Sequence, residues 1–450
     1  MARLTRRDFI RIGAGSVALG AAAKTTLLNP APVWGAGRAV APSDRVRFAS
    51  IGTGTRGCEL LQASLDVPGI ECVAACDLYD SRHEAARESV QKQVPVTRNY
   101  REILDRKDVD AVIVAVPDHQ HRRVVLDACA AGKDVYCEKP MSHNVDDGFA
   151  IVEAVRKNNR ILQVGSQRVS SIVYAKAREL YAAGALGDVF YIEGSSDRNS
   201  ASGAWVYPIP PDANEQTIDW NEFLADAPKR PFDAARFFRW RCFADYGEGL
   251  PGDLFVHLMS GIFFISGMNE VPQRAQSSGG LFRWKDGRDF PDLIETIYDF
   301  PNVRVALRCN LNNAGGEPIK FCGTKGTMEI NGQTLTFVPQ DDSAKPETYS
   351  TKGWPARLRN QYLEQWAADH PLPPPRDYQA IEAETFTAPA GYSDVSAHQA
   401  NFFDAVRARK PVVENEEFGN HAAIGCHLAN YAYFKKTIAT WDASAKTIRG

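Results

Sequence analysis

The chain has 450 residues, with 52 Lys and Arg against 55 Asp and Glu and no long run of one sign. That near balance leaves no electrostatic footprint for nucleic acid or an anionic membrane and favours small polar ligands, while the length is enough for two domains with large cores. The nine cysteines (Cys58, Cys72, Cys76, Cys129, Cys137, Cys242, Cys309, Cys322 and Cys426) are scattered through apolar stretches, which suits buried free thiols better than a disulfide framework. The one close pair, Cys72 and Cys76, has no second pair or His nearby, so no metal site is expected.

The chain opens on a basic segment, Thr5 to Arg11, followed by an apolar Gly- and Ala-rich run, Ile12 to Ala23. A bilayer span needs about twenty apolar residues, and Lys24 ends this run too early. The segment resembles a twin-arginine signal peptide, with Ala39 and Ala41 offering a cleavage region. Residues 1–42 are therefore read as signal and linker, and the protein as periplasmic or otherwise exported by the twin-arginine machinery.

From Arg45 onward strands and helices alternate: "RVRFASIG", a helix to about Leu65, "IECVAACD", a charged helix over "YDSRHEAARESVQ", and the continuous apolar run "DAVIVAV". The helix "HRRVVLDACAAG", the strand "DVYCEKP", the helix "VDDGFAIVEAVRKNN" and the strand "ILQVGS" complete the series. An unbroken apolar strand fits a parallel sheet covered on both faces, so residues 43–165 predict a doubly wound α/β domain. After Gly165 the rhythm changes. A helix, the strand "VFYIEGSS", an aromatic stretch over 198–251 and a helix near 253–266 precede "LIETIYDF", "VRVALRCNL", "IKFCGT" and "TMEIN". Residues 166–450 thus predict an α+β domain with an open, mostly antiparallel sheet, a Pro-rich linker over 370–377 and two closing helices near 394–408 and 417–437.

The turn Gly52-Thr53-Gly54-Thr55-Arg56-Gly57 follows the first strand and opens a helix, and Asp77 ends the second strand. Gly52 makes the tight turn, Gly54 admits a pyrophosphate, Gly57 lets helix and strand close up, and Asp77 can accept from ribose hydroxyls. This context predicts a bound dinucleotide. Asp77 favours NAD, and Arg82 leaves NADP open.

"GTGTRG", "VPDHQH", "AAGKDVYCEKPMS" and "GDLFVHLMS" together resemble the glucose-fructose oxidoreductase and inositol dehydrogenase family, written Gfo/Idh/MocA. The resemblance implies a Rossmann NAD(P) domain, a second α/β domain whose open sheet serves homo-oligomer contacts as a dimer or tetramer, and a sugar, polyol or glycoside substrate. It also implies a catalytic Lys139, Asp253 and His257. On residue chemistry alone, Lys139 at a strand's carboxyl end is either an oxyanion donor or half of a solvated pair with Glu138. Asp253 and His257 at i and i+4 are either a carboxylate orienting an imidazole base or a helix cap beside a core histidine.

Ser260 departs from the family, which often carries a substrate-holding Asp there. Pro117, His119, His121, Glu138 and Lys139 join the glycine turn and Asp77 as expected cofactor contacts. Gln167, Arg168, Arg241 and Trp240 are substrate candidates, with Arg236, Arg239, Trp205, Tyr207, Trp220, Phe238 and Tyr246 as weaker ones, most of the aromatics being core. His398, His421 and His427 read as helix-packing residues.

Export and NAD chemistry together predict a tightly bound cofactor and a closed hydride cycle. Such a cycle is either sugar-sugar oxidoreduction or a transient oxidation enabling glycoside cleavage or epimerisation. The Tyr-Pro-Thr-His stretch of the NAD-dependent glycosidase branch is absent, with "DLFVHL" in its place. A non-catalytic sugar- or nucleotide-binding protein is the alternative.

Overall fold

The computed structural model describes residues 41, 44–340, 345–371 and 383–450. The N-terminal segment expected to be an export signal, apart from Ala41, and residues 372–377 of the expected Pro-rich linker lie outside the described residues.

The first domain runs β1 (Val46–Ile51), α1 (Thr55–Leu65), β2 (Ile70–Cys76), α2 (Ser81–Val90), β3 (Val96–Thr97), α3 (Tyr100–Leu104), β4 (Ala111–Val114), α4 (Asp118–Ala130), β5 (Asp134–Cys137), α5 (Val145–Lys157) and β6 (Leu162–Val164). Its sheet is wholly parallel in the order β3-β2-β1-β4-β5-β6, so the strand order reverses beside β1 and opens a crevice at the carboxyl ends of β1 and β4. The apolar run in β4 is buried at every position because helices cover both faces. Local chemistry sets the ends: Asn144 caps α5 by accepting from the Asp147 N–H, and Asp146 and Asp147 stand in its first turn, where the helix dipole favours negative charge.

The second domain continues with α6 (Ile172–Ala182), β7 (Val189–Asp197), α7 (Trp220–Leu224), α8 (Ala234–Phe238), α9 (Val256–Ser266), β8 (Arg274–Gly280), β9 (Leu293–Asp299), β10 (Arg304–Asn310), β11 (Ile319–Gly323), β12 (Gly326–Asn331), β13 (Thr334–Pro339), α10 (Ala356–Asp369), β14 (Glu384–Thr387), α11 (Asp394–Ala408), α12 (Glu416–Lys435), β15 (Ala439–Asp442) and β16 (Thr447–Arg449). Ten strands in the order β14-β13-β12-β11-β7-β10-β9-β8-β15-β16 form a sheet that is antiparallel except for the β7–β10 pair. In β9, buried Ile294, Thr296 and Tyr298 alternate with exposed Glu295 and Ile297, so one face packs on helices and the other is open to solvent. All nine cysteines are free thiols, and no described helix is long and apolar enough to cross a membrane.

The last two helices also reach back to the first domain, although α12 packs mainly on the second sheet. Phe402 and Phe403 of α11 pack with Phe48 of β1, Leu60 and Leu61 of α1 and Tyr136 of β5, closing one face of the parallel sheet. Gly419 of α12 meets Val164 of β6, where a Cβ would stand 2.4 Å from that side chain. Truncating one of these aromatics should therefore unsettle the dinucleotide domain from a distance. Phe402→Ala is expected to cost about 3–5 kcal/mol, the range for a fully buried Phe, as read from urea unfolding followed by tryptophan fluorescence.

Candidate active site

A cleft of about 530 Å³ lies at the carboxyl ends of β1, β2, β4 and β5, with α8 and the segments after β7 and before α9 as its far wall. Most of the expected site residues line it: Gly52, Gly54, Thr55, Arg56, Gly57, Asp77, Pro117, Glu138, Lys139, Gln167, Trp240, Arg241, Asp253 and His257. Thr53 stands behind the turn, its N–H donating to Asp77 Oδ2 at 2.7 Å.

The glycine turn is built for close approach. Gly52 has φ of +90°, and a Cβ there would sit 2.4 Å from the Ala115 carbonyl oxygen, while one on Gly57 would sit 2.0 Å from that of Gly52. Beyond the turn, Asp77 accepts from the N–H groups of Thr53 and Tyr79 and from Arg82 at 3.3 Å, which still leaves it acceptor capacity. This cradle fits a dinucleotide: bare backbone and the α1 N-terminus for the pyrophosphate, and a carboxylate at the end of β2 for a ribose. Gly57→Ala forces two backbones apart, so loss of retained cofactor after gel filtration and about 1–3 kcal/mol of destabilisation are expected.

Arg56, at the start of α1, crosses the cleft floor. It donates to Glu138 at 2.8 Å and to Gln167 at 3.3 Å, and although burial alone would lower its pKa, Glu138 more than reverses this. At the far wall Asp253 is the hub. Lys139 Nζ donates to its Oδ1 and to its backbone carbonyl, both at 2.8 Å; Arg241 Nε donates to Oδ1 at 3.0 Å, and Trp205 Nε1 to Oδ2 at 3.1 Å. Burial alone would raise the Asp253 pKa, but Lys139, Arg241 and Arg198 outweigh it and hold the carboxyl far below its usual range. Burial has the upper hand at Asp118, whose carboxyl is pushed well above the ordinary range despite Arg241 and Lys139 nearby.

Four expectations need correction. Asp253 does not hydrogen-bond His257: residues 251–255 form a π-helical turn before α9, so the i,i+4 spacing is not that of an α-helix, and Asp253 serves Lys139, Arg241 and Trp205 instead. His119 is turned away from the cleft, with Nε2 2.8 Å from the Phe223 carbonyl and burial pushing its pKa down to about 4. His121 is likewise turned away, its ring nitrogens against the carbonyls of Pro140 and Val116, so it braces the loop that carries Lys139. Arg168 lies beside the cleft rather than on it, paired with Glu317.

His257 itself faces the cleft. Its Nδ1 is buried with no hydrogen-bond partner, so Nε2 is the nitrogen left to meet a ligand. Burial, then Lys139 and Arg168, press its pKa well below the ordinary value and so favour the neutral ring, with Asp253 opposing.

Of the weaker candidates, Trp205, Tyr207 and Phe238 line the cleft, whereas Trp220 and Tyr246 belong to the aromatic cluster behind it. Arg236 is engaged by Asp245 and the Phe243 ring, and Arg239 by the Tyr207 carbonyl. Among the helix histidines, His398 is buried against Ser170 and the Val164 carbonyl, His421 meets Asn269, and His427 pairs with Glu248 at 3.0 Å. Ser260 is buried on Ser166 and Glu414, out of reach of the cleft. No described group of His, Cys, Asp and Glu could hold a metal. The sequence reading missed Arg198, which lines the cleft immediately after β7; its position at a strand end was the available signal.

Residues 46–166 match the Gfo/Idh/MocA profile, described as an oxidoreductase family with an NAD-binding Rossmann fold. The chain is 33% identical over 312 residues to an uncharacterized oxidoreductase of Streptococcus pneumoniae, covering 65% of this chain and 73% of that one. It is 30% identical over 146 residues to the inositol 2-dehydrogenase of Salmonella paratyphi B, covering 32% of this chain and 44% of that enzyme, and it spans about half the length of the inositol dehydrogenases it matches. A levoglucosan dehydrogenase solved with NADH and levoglucosan shares the fold at a TM-score of 0.65 and 17% identity, over 88% of this chain and 99% of that one.

Proposed function

The chain belongs to the Gfo/Idh/MocA family of NAD-binding oxidoreductases, and from that premise we propose that it oxidises a hydroxyl of a sugar, polyol or glycoside. The observation that carries this reading is the pairing, in one cleft with the glycine turn, of a neutral unbonded imidazole, His257, and an ammonium, Lys139, fixed by a buried carboxylate.

NAD, when bound, supplies the acceptor for the hydrogen and electron pair of the substrate C–H bond. The remaining work falls to side chains. His257 takes the hydroxyl proton through Nε2. Lys139 has three N–H donors, two of them engaged by Asp253, and the third is left for the substrate oxygen as its charge develops. Asp253 positions Lys139, and Glu138 positions Arg56 across the floor. A sugar-binding protein without chemistry has no need of this neutral base.

The N-terminal segment supports export through the twin-arginine route, which carries folded proteins, with the cofactor already bound and retained. Outside the cytoplasm the redox balance then closes within the protein: one sugar hydroxyl is oxidised and one carbonyl reduced for each cycle. The open face of the ten-stranded sheet supports a homo-oligomer. Reduced-nicotinamide absorbance of protein purified from the exported fraction tests this reading. A band that responds to candidate sugars and recovers is expected; a lasting change means a dehydrogenase that needs a second acceptor, and no change sinks the enzymatic reading.

A further inference from the structure

The second-domain side of the cleft carries more positive charge than hydroxyl oxidation requires. Around Asp253 and Glu317, Arg198 and Arg241 line the cleft, Lys139 reaches it from the first domain, and Arg168 stands beside it. Lys139 and Arg241 share Asp253 at 2.8 and 3.0 Å, while Arg198 donates to Glu317 at 2.9 Å and Arg168 pairs with the same carboxylate. The acids nearby do not redress this. Glu138 is matched by Arg56 at 2.8 Å, while burial holds Asp118, on the cleft, and Asp394, near Arg168, above the usual carboxylate range. Four cations thus share two carboxylates at and beside a partly desolvated cleft, an arrangement that favours an incoming anion.

The donors are also shaped for one. Arg241 uses only Nε on Asp253 and is stacked over Trp240, 4.3 Å from the ring centroid; its terminal amino groups have no described hydrogen-bond partner. Arg198 donates through one side-chain nitrogen, to Glu317. Both arginines line the cleft that Lys139 and His257 also line, and both lie close enough to act electrostatically on Asp253 and the Tyr207 hydroxyl. A planar guanidinium held rigid by stacking suits a carboxylate better than a scattered set of hydroxyls.

We infer that the substrate is a sugar acid, whose carboxylate is held by Arg198 and Arg241 while the hydroxyl to be oxidised meets Lys139 and His257. This rests on the oxidoreductase reading for the hydroxyl but not for the carboxylate. Gluconate and glucuronate present the same group on an open chain and on a ring, and glucose and methyl glucuronate are their uncharged counterparts.

Two measurements on the full chain loaded with NAD test it. Equilibrium binding by calorimetry is expected to give gluconate or glucuronate at least about tenfold tighter than its uncharged counterpart, the factor of one charge-assisted pair. Arg198→Gln is expected to erase most of that difference. Equal binding of charged and uncharged sugars overturns the inference, as does a preference for glucose 6-phosphate over both acids. Steady-state turnover on the same compounds separates the two readings. If the acids bind more tightly yet never reduce the cofactor, the oxidation reading fails and the sugar-acid site stands; if neutral sugars turn over with the higher kcat/KM, the sugar-acid site fails and the oxidation reading stands.

Discussion

Lys139→Met is expected to lower turnover by about 10²–10³-fold, the loss typical of a single donor to a developing oxyanion. The reason lies in where its hydrogen bonds go. With two N–H groups fixed on Asp253 at 2.8 Å, the third points with little freedom left, so the donor is positioned before substrate arrives. The same substitution leaves Asp253 with Arg241 and Trp205 only, and breaking a buried pair of this kind costs about 3–5 kcal/mol, less here because both side chains keep some contact with water. Turnover and stability therefore fall together. The double variant Lys139→Met, Asp253→Asn separates them: it should recover much of the unfolding free energy in urea and none of the turnover. Cofactor content should be unchanged in both, since the glycine turn and the Arg56–Glu138 bond are untouched. A Lys139→Met protein that turns over within threefold of wild type removes the oxyanion role.

Features that depend on short stretches of chain were legible in the sequence. The glycine turn, Asp77 at the end of β2 and the apolar run of β4 each answer to local rules of sterics and burial, and they place the dinucleotide cradle where the structure has it. The open second sheet followed from its alternating strands, and α11 fell on the expected residues 394–408. What escaped depends on contacts far apart in sequence. Nothing in "NFFDAV" says that Phe402 and Phe403 will cover β1. Likewise, "DHQH" does not reveal that the carbonyls of Phe223, Pro140 and Val116 will claim His119 and His121. The Asp253–His257 spacing misleads for a different reason: i,i+4 neighbours share a face of an α-helix, whereas Asp253 stands in a π-helical turn. Arg198 is not legible in the sequence because its importance comes from its neighbours Arg241, Asp253 and Glu317, which only the fold assembles.

His257→Asn is expected to lower kcat by about 10²–10⁴-fold, the usual range for a lost general base, with retained NAD unaffected. The pH profile adds a test that size alone does not. In the folded protein, burial and the cations Lys139 and Arg168 favour the neutral ring, so its pKa lies well below the ordinary 6.5. The active form is the deprotonated one. It follows that kcat/KM for the wild type should be level from neutral pH upward and fall only as pH drops well below 6.5, and that this acid limb should vanish from the residual activity of His257→Asn. Had Asp253 oriented the imbuilt base through a hydrogen bond, as the sequence spacing suggested, the carboxylate would have stabilised the imidazolium and moved the limb upward. Asp253 instead gives both oxygens to Lys139, Arg241 and Trp205. A limb at or above 6.5 in the wild type that moves down in Asp253→Asn means that Asp253 engages His257 during turnover, and then the division of labour drawn from this structure is wrong at that residue.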